Sequence, residues 1–411
     1  MVSKKMLSEY ARLAVKIGVN VQKGQPLLIN GPVEAFEFIR ECVKVAYEAG
    51  ASEVWVDYRD NNLQRMSFEH VETETLKEIP SWAIDRIKYR IDKKYCVLHV
   101  ISDDPDLLEG IDSQKVFEVQ MANMKASNQF QYYTMNNIGQ WSIVAYPNRK
   151  WAKKVFPELS EDEAYDRLWD AIMSTSRVSE DGDVTKAWDE HNREVKVHSE
   201  KLNEFNFKSL HFENSLGTDL KVGLIRNHIW EGGADKTQGG VTFNPNIPTE
   251  EVFTMPDCYH IDGTVVSTKP LSYNGKLIDE FKLTFKDGKV IEYSAKTNED
   301  VLKNMLDTDD GSRSLGEVAL ISYDSPISNS NILFYNTLFD ENASCHLALG
   351  KCYPTNVKGG SDMTSEELHK LGGNDSMIHV DFMFGSRDMS VTGTTYDDKE
   401  VVVFADGNFV F

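Results

Sequence analysis

Four short apolar runs punctuate the first 150 residues: QPLLIN (25–30), SEVWVDY (52–58), YCVLHVIS (95–102) and WSIVAYP (141–147). Between them, stretches such as EAFEFIRECVKVAYEAG (34–50) repeat their apolar residues at helical spacing. Consecutive parallel strands need a crossover long enough to hold a helix, so this alternation predicts βαβ units on a parallel sheet. No G-x-G-x-x-G follows a strand and no G-x-x-x-x-G-K-[ST] is present, so the unit reads as a scaffold without a cofactor signature.

Two long helical segments follow from about residue 160, EDEAYDRLWDAIM and TKAWDEHNREVKVHSEKLNEF. The pattern then changes. SLHFENSLGTDLKVGL alternates with period two around a polar turn and predicts a β-hairpin. Strand signals dominate from there, through KLIDEFKLTFKDGKVIEYSA with its KDGK turn, to EVVVFADGNFVF at the end. A chain of 411 residues exceeds one ordinary core. The expected division is an α/β scaffold domain over 1–203 and an α+β domain over 204–411, rich in antiparallel strands and carrying the active chemistry.

The formal net charge of −21 excludes nucleic acid as a partner, because phosphate binding needs clustered lysine and arginine. No apolar run has the length of a membrane span, so no membrane role is expected. The start, MVSKKMLSEYARLAVKIGVN, alternates charged and apolar residues and lacks a signal core. Five cysteines form no spaced framework, and the odd count fits reduced thiols in a cytoplasmic enzyme.

Within SMIHVDFMFGS (376–386), Ile378, Val380 and Phe382 suit a buried strand face, while His379 and Asp381 project together from the other. Read alone, that is either a solvated polar face or a pair of metal ligands. Three further stretches place polar residues oddly. NIPTEEVFTMPD carries adjacent Glu250 and Glu251, which on an extended strand face opposite ways, so at most one serves a given site. GEVALISYD opens an apolar strand with Glu317, where a buried carboxylate needs a partner. In LFDENASCHLALGKCYP, Glu341 begins a run read as helical, His346 lies inside it, and Tyr353 follows Gly350. Three Glu, two His and one Asp suit divalent zinc, cobalt, manganese or magnesium. Six ligands are too many for one catalytic zinc, and they suit two ions sharing a carboxylate. A structural zinc built from Cys258, His260, Cys345 and Cys352 is the rival, weakened by the lack of any C-x-x-C pair.

NIPTEEVFTMPD, RSLGEVALI, LFYNTLFDENASCHLALGKCYP and IHVDFMFGSRDM, with YPNRKWAKKVFP and YSAKTNEDVLKNML between and before them, closely resemble the motifs of the aminopeptidase T / aminopeptidase S family of metallopeptidases. The resemblance covers most of the chain. It implies two divalent ions (zinc, cobalt or magnesium) held by Glu251, Glu317, Glu341, His346, His379 and Asp381. Glu317 would bridge them, and Tyr353 would be the catalytic tyrosine. Glu251 rather than Glu250 is the ligand by its place in the family motif. The family further implies a homodimer that removes N-terminal residues from peptides with broad specificity. In that expectation Tyr353 donates to the developing oxyanion and Glu250 or Glu317 moves the proton to the leaving amine. The Gly-rich stretch EGGADKTQGGVTFNPN (231–246) is read as either a border of the substrate cleft or an ordinary loop. Two other readings stand beside this one: a two-metal amidohydrolase or phosphoesterase, and an inactive binding protein of the same fold.

Overall fold

The computed structural model describes residues 2–102, 104–273 and 276–411. Strands β1 (Leu27–Pro32), β2 (Val54–Arg59), β3 (Cys96–Ile101) and β4 (Trp141–Ala145) form the expected parallel sheet in the order β2-β1-β3-β4. All six residues of β1 are buried, which is why its sequence opens on the apolar run Leu27–Ile29 rather than alternating. The helix Phe36–Glu48 packs beside it through Phe38, Ile39, Cys42, Val45 and Ala46, a single stripe at helical spacing.

The sequence predicts a boundary near residue 203, but that position falls inside the helix Val184–Phe205. The two units are Met1–Glu190 with Ala234–Pro248, and His191–Gly233 with Thr249–Phe411. A continuous helical pattern carries no mark of where its packing partners change. The return of 234–248 to the first unit is made by backbone contacts that sequence does not display. Ile143 N donates to the Pro245 carbonyl at 2.7 Å, and Asn244 N to the Gly18 carbonyl at 2.9 Å.

In the second unit β5 (Ser209–Glu213) and β6 (Asp219–Leu224) form the expected hairpin. The short strands β7 (Asp235–Lys236) and β8 (Thr242–Phe243) pair within the first unit. Next come β9 (Val252–Thr254), β10 (Pro256–Val266), β11 (Leu271–Tyr273), β12 (Lys276–Lys286) and β13 (Lys289–Thr297). The chain ends with β14 (Leu315–Leu320), β15 (His346–Gly350), β16 (His379–Met383), β17 (Ser390–Thr394), β18 (Glu400–Ala405) and β19 (Asn408–Phe409). The turn between β12 and β13 uses Asp287 and Gly288, both at positive φ, as a tight hairpin requires.

Two antiparallel sheets share the core of this unit. One runs β11-β12-β10-β6-β5-β17-β18-β19 with β13 on β12, and the other runs β16-β15-β14-β9. Leu347, Leu349, Val318, Leu320 and Phe382 of the small sheet join Leu210, Phe212, Val222, Ile261 and Leu283 of the large one in a single apolar cluster. Among the described residues no helix is long and apolar enough to cross a membrane.

One local expectation fails. The run read as a helix through Glu341 and His346 is a short helix, Thr337–Asp340, then a single 3-10 turn, Glu341–Ala343, then strand β15. Leucine and alanine favour helix locally, but β15 lies between β14 and β16, and backbone partners on both edges override that preference. Likewise Glu250 and Glu251 precede β9 rather than lying within it.

Candidate metal centre

Strand register puts the polar residues of the small sheet on one face. Leu347 pairs with Phe382, Val318 with Thr254 and Leu320 with Val252, and these look into the core. On the opposite face Glu317 stands across from Ala348, which stands across from Asp381. On one side of that row Phe253, Ala319, His346 and Met383 follow one another, and on its other side Gly350 faces His379. Polar side chains alternate with alanine or glycine across neighbouring strands, which leaves open space among them. Gly350 admits no substitute here: its φ is +105°, and a Cβ would meet the Ile378 carbonyl oxygen at 2.1 Å.

The side chains converge. His346 Nε2 lies 3.2 Å from Glu251 Oε2 and 3.3 Å from Glu317 Oε1. His379 Nε2 lies 3.7 Å from Glu317 Oε2 and 3.4 Å from Asp381 Oδ1. Two donor groups result, Glu251–Glu317–His346 and Glu317–His379–Asp381, each within 4.8 Å, and Glu317 belongs to both. His379 Nδ1 donates to the Lys351 carbonyl at 2.6 Å, which fixes the tautomer and leaves Nε2 for the cluster. Glu251, Glu317 and His346 are buried, and Asp381 and His379 are nearly so.

Four carboxylates in low dielectric are costly unless compensated. Burial lifts the Glu317 carboxyl above its ordinary range, and burial with Glu251 and Asp381 nearby lifts Glu341 well above it. Burial disfavours the His379 imidazolium, but Asp381 and Glu317 outweigh it and bring it up to about 9. His346 is raised well above its usual value against the same penalty, by Glu251 and Glu317. Burial and then Glu317 and Asp381 push the Tyr353 phenol well up. Asp381 Oδ1 is buried and, with His379 Nε2 at 3.4 Å, forms no well-directed hydrogen bond. An excess of buried anionic oxygens over cations, two imidazole nitrogens among them and one orphaned acceptor are the donor chemistry a pair of divalent ions would satisfy.

The sequence candidates divide as follows. Glu251, Glu317, His346, His379 and Asp381 come together. Glu341 stands outside both donor groups, close enough to Glu251 and Asp381 to feel their charge, and borders a cavity with Asp381. Tyr353 packs its ring edge-on to His379, with centroids 4.9 Å apart. Of the adjacent pair, Glu251 joins the cluster, while the Glu250 backbone N–H donates to Asn342 Oδ1 at 2.8 Å. The structural-zinc rival fails among the described residues: the Cys345 thiol bonds to Ile321, His260 pairs with Asp257 at 2.8 Å, and no donor group combines them. A third grouping, His211 with Glu213 and Asp219, is an exposed ion-pair patch on the β5–β6 hairpin.

Sequence reasoning missed Asn342. It is fully buried, accepts from Glu250, and donates to the Leu338 carbonyl at 3.2 Å and to Glu341 Oε1 at 3.4 Å. It ties the Glu250–Glu251 segment to the Glu341 turn. The signal within reach was an amide directly after a candidate ligand.

The thermophilic metalloprotease (M29) family matches residues 3–409. The chain is 45% identical over 407 residues to Aminopeptidase 2 of Geobacillus stearothermophilus, covering 99% of this chain and 98% of that one. It is 45% identical over 405 residues to Aminopeptidase AmpS of Bacillus subtilis (strain 168), covering 98% of each. The solved structure of wild-type AmpT from Thermus thermophilus superposes with a TM-score of 0.92 at 38% identity, covering 99% of this chain and all of that one. With the family's match spanning nearly every residue and its donor-rich sheet in place, the chain belongs to the thermophilic metalloprotease family M29.

Proposed function

We infer that the cluster on the small sheet holds two divalent ions and hydrolyses the first peptide bond of a peptide. The chain is a metalloaminopeptidase, as its family and its full-length relatives of that activity make plain. The observation that carries the two-ion reading is Glu317, whose two oxygens face different histidines and different donor groups. One ion would take Glu251, His346 and Glu317, and the other Glu317, His379 and Asp381, with Glu341 closing the shell. Zinc, cobalt and magnesium all suit these ligands.

When bound, the ions supply Lewis acidity and a water whose proton leaves near neutral pH. The chain's own groups do the rest. The carboxylates around the centre hold a free α-amine, which an N-acyl cap would abolish. Glu250 carries the proton to the leaving amine, since the two oxygens of Glu317 are committed to the two donor groups. Tyr353, packed edge-on against His379, gives a hydrogen bond to the oxyanion. The resemblance in sequence also supports a cytoplasmic homodimer acting on short peptides with broad first-residue tolerance.

The test is mass spectrometry of one peptide digested in free, N-acetylated and C-amidated forms, with and without chelator. The free and amidated forms should shorten stepwise from the N-terminus, only with metal present. Internal cleavage of the acetylated peptide, or full activity in protein shown metal-free by elemental analysis, would overturn the reading.

A further inference from the structure

Beyond β9 the small sheet is continued by residues 227–231, which hydrogen-bond on both sides. Glu231 N donates to the Phe253 carbonyl at 3.0 Å, and Phe253 N to the Glu231 carbonyl at 2.8 Å. On the far side Ile229 N donates to the Asn356 carbonyl at 2.6 Å, and Lys358 N to the Asn227 carbonyl at 3.0 Å. Residues paired across an antiparallel ladder share a face, so Glu231 heads the row that runs through Phe253, Ala319 and His346. Its carboxylate accepts from Nδ2 of the buried Asn356 at 3.1 Å.

We propose that Glu231 is a positioning residue for the peptidase reaction: through Asn356 it fixes the turn that aims the Tyr353 hydroxyl. The proposal rests on the peptidase reading above and deepens it. Asn356 closes the 3-10 turn Pro354–Asn356, which starts directly after Tyr353, and its N–H donates to the Tyr353 carbonyl at 3.2 Å. Among the described residues the Tyr353 hydroxyl makes no hydrogen bond, so ring packing and the turn alone direct it. The ring meets Phe253 and His379 edge-on, with centroids 6.1 Å and 4.9 Å away. Such contacts set a ring's tilt loosely, whereas an oxyanion donor works only when held close to its productive place. A hydrogen bond to a carboxylate is stronger than a neutral one, and it anchors the turn at its buried end. Glu231 also opens the Gly-rich stretch 231–246, and this gives its first residue a task that neither a cleft border nor a plain loop requires.

The experiment measures kcat and KM for leucyl-p-nitroanilide, and metal per chain by elemental analysis. It compares metal-loaded wild type with Glu231→Ala, Glu231→Gln, Asn356→Ala, Tyr353→Phe and the double variant Glu231→Ala/Tyr353→Phe. Glu231→Ala should lower kcat about 10-fold, as a misplaced group does, and leave KM and metal content at wild-type levels. Glu231→Gln keeps an oxygen that accepts from Asn356, so it should hold kcat within about threefold of wild type. Asn356→Ala should repeat the Glu231→Ala loss, so one of the two suffices where the other fails to fold. In the Tyr353→Phe background Glu231→Ala should lower kcat by less than about twofold more, because the hydroxyl it positions is gone. With Tyr353→Phe itself slow, three results each overturn the positioning role alone: a further loss of about 10-fold in the double variant, metal missing from Glu231→Ala, or both alanine variants within about twofold of wild type. Wild-type kcat in Tyr353→Phe, or no cleavage of the free anilide by wild type, overturns it together with the reading it rests on.

Discussion

His379 Nδ1 lies 2.6 Å from the carbonyl oxygen of Lys351, on the segment that follows the neighbouring strand. A carbonyl only accepts, so Nδ1 carries a proton there and Nε2 is the nitrogen that faces Glu317 and Asp381. The main chain makes this contact, so Lys351→Ala should leave metal content unchanged. His379→Ala should lose one of two ions per chain and keep the other. Elemental analysis after desalting distinguishes the two variants, and equal metal in both would refute the assignment of His379 to one donor group.

Glu317→Gln separates stability from metal binding. Without metal the buried cluster repels itself, so replacing one carboxylate with an amide should leave the apo protein as stable as wild type or more so. Wild type should gain thermal stability on adding a divalent ion in excess, by mass action. The variant should lose that gain, because both donor groups share the removed charge. Melting curves with and without metal report both effects.

Tyr353→Phe removes one hydroxyl and nothing from either donor group. Metal stoichiometry should therefore hold while kcat falls by roughly 10²-fold or more, as for an oxyanion donor. A variant that instead arrives metal-free would place Tyr353 among the ligands.

Asn342→Ala should leave the half-buried Glu250 N–H without this acceptor and loosen the Glu341 turn. A cost of about 1–3 kcal/mol is expected from the unpaired group, visible in urea unfolding. Metal affinity should fall with it, since Glu251 follows directly. Unfolding unchanged by the substitution would show that the cross-link bears no strain.

In the first unit, burial and then the Arg59 charge depress His99 to about 4, while Asn30 Nδ2 sits 3.5 Å from its Nδ1. The folded state binds its proton less readily than the unfolded chain, at an ordinary 6.5. This histidine's contribution is thus complete above pH 6.5 and is lost as pH falls toward 4, up to about 3 kcal/mol in all. His99→Gln should flatten wild-type stability across that window, measured by denaturant unfolding at stepped pH.

What could be read from sequence was whatever repeats locally. The spacing of His379 and Asp381 fixes their shared face, and the apolar runs around residues 27, 54, 96 and 141 announce a parallel sheet. The strand at His346 was hidden because its residues prefer helix and its partners lie about 30 residues away on each side. Asn342 meets Glu250 across 92 positions, a pairing with no periodic signature. The spacing role of Ala319, Ala348 and Gly350 becomes visible only when three strands are set in register, since each residue alone is an unremarkable small side chain.

The polypeptide passes between the two units at Glu190, at Gly233 and again at Pro248. A single cut therefore frees neither half. A fragment beginning at residue 204 would shed most of the helix Val184–Phe205, including Val195 and Leu202 from the core of the two antiparallel sheets. It would also drag 234–248 along with no strand to lie against, exposing the buried Phe243 and Ile247. The second unit is not a portable module. It can be inherited, expressed or recombined only with the scaffold through which its own chain is laced.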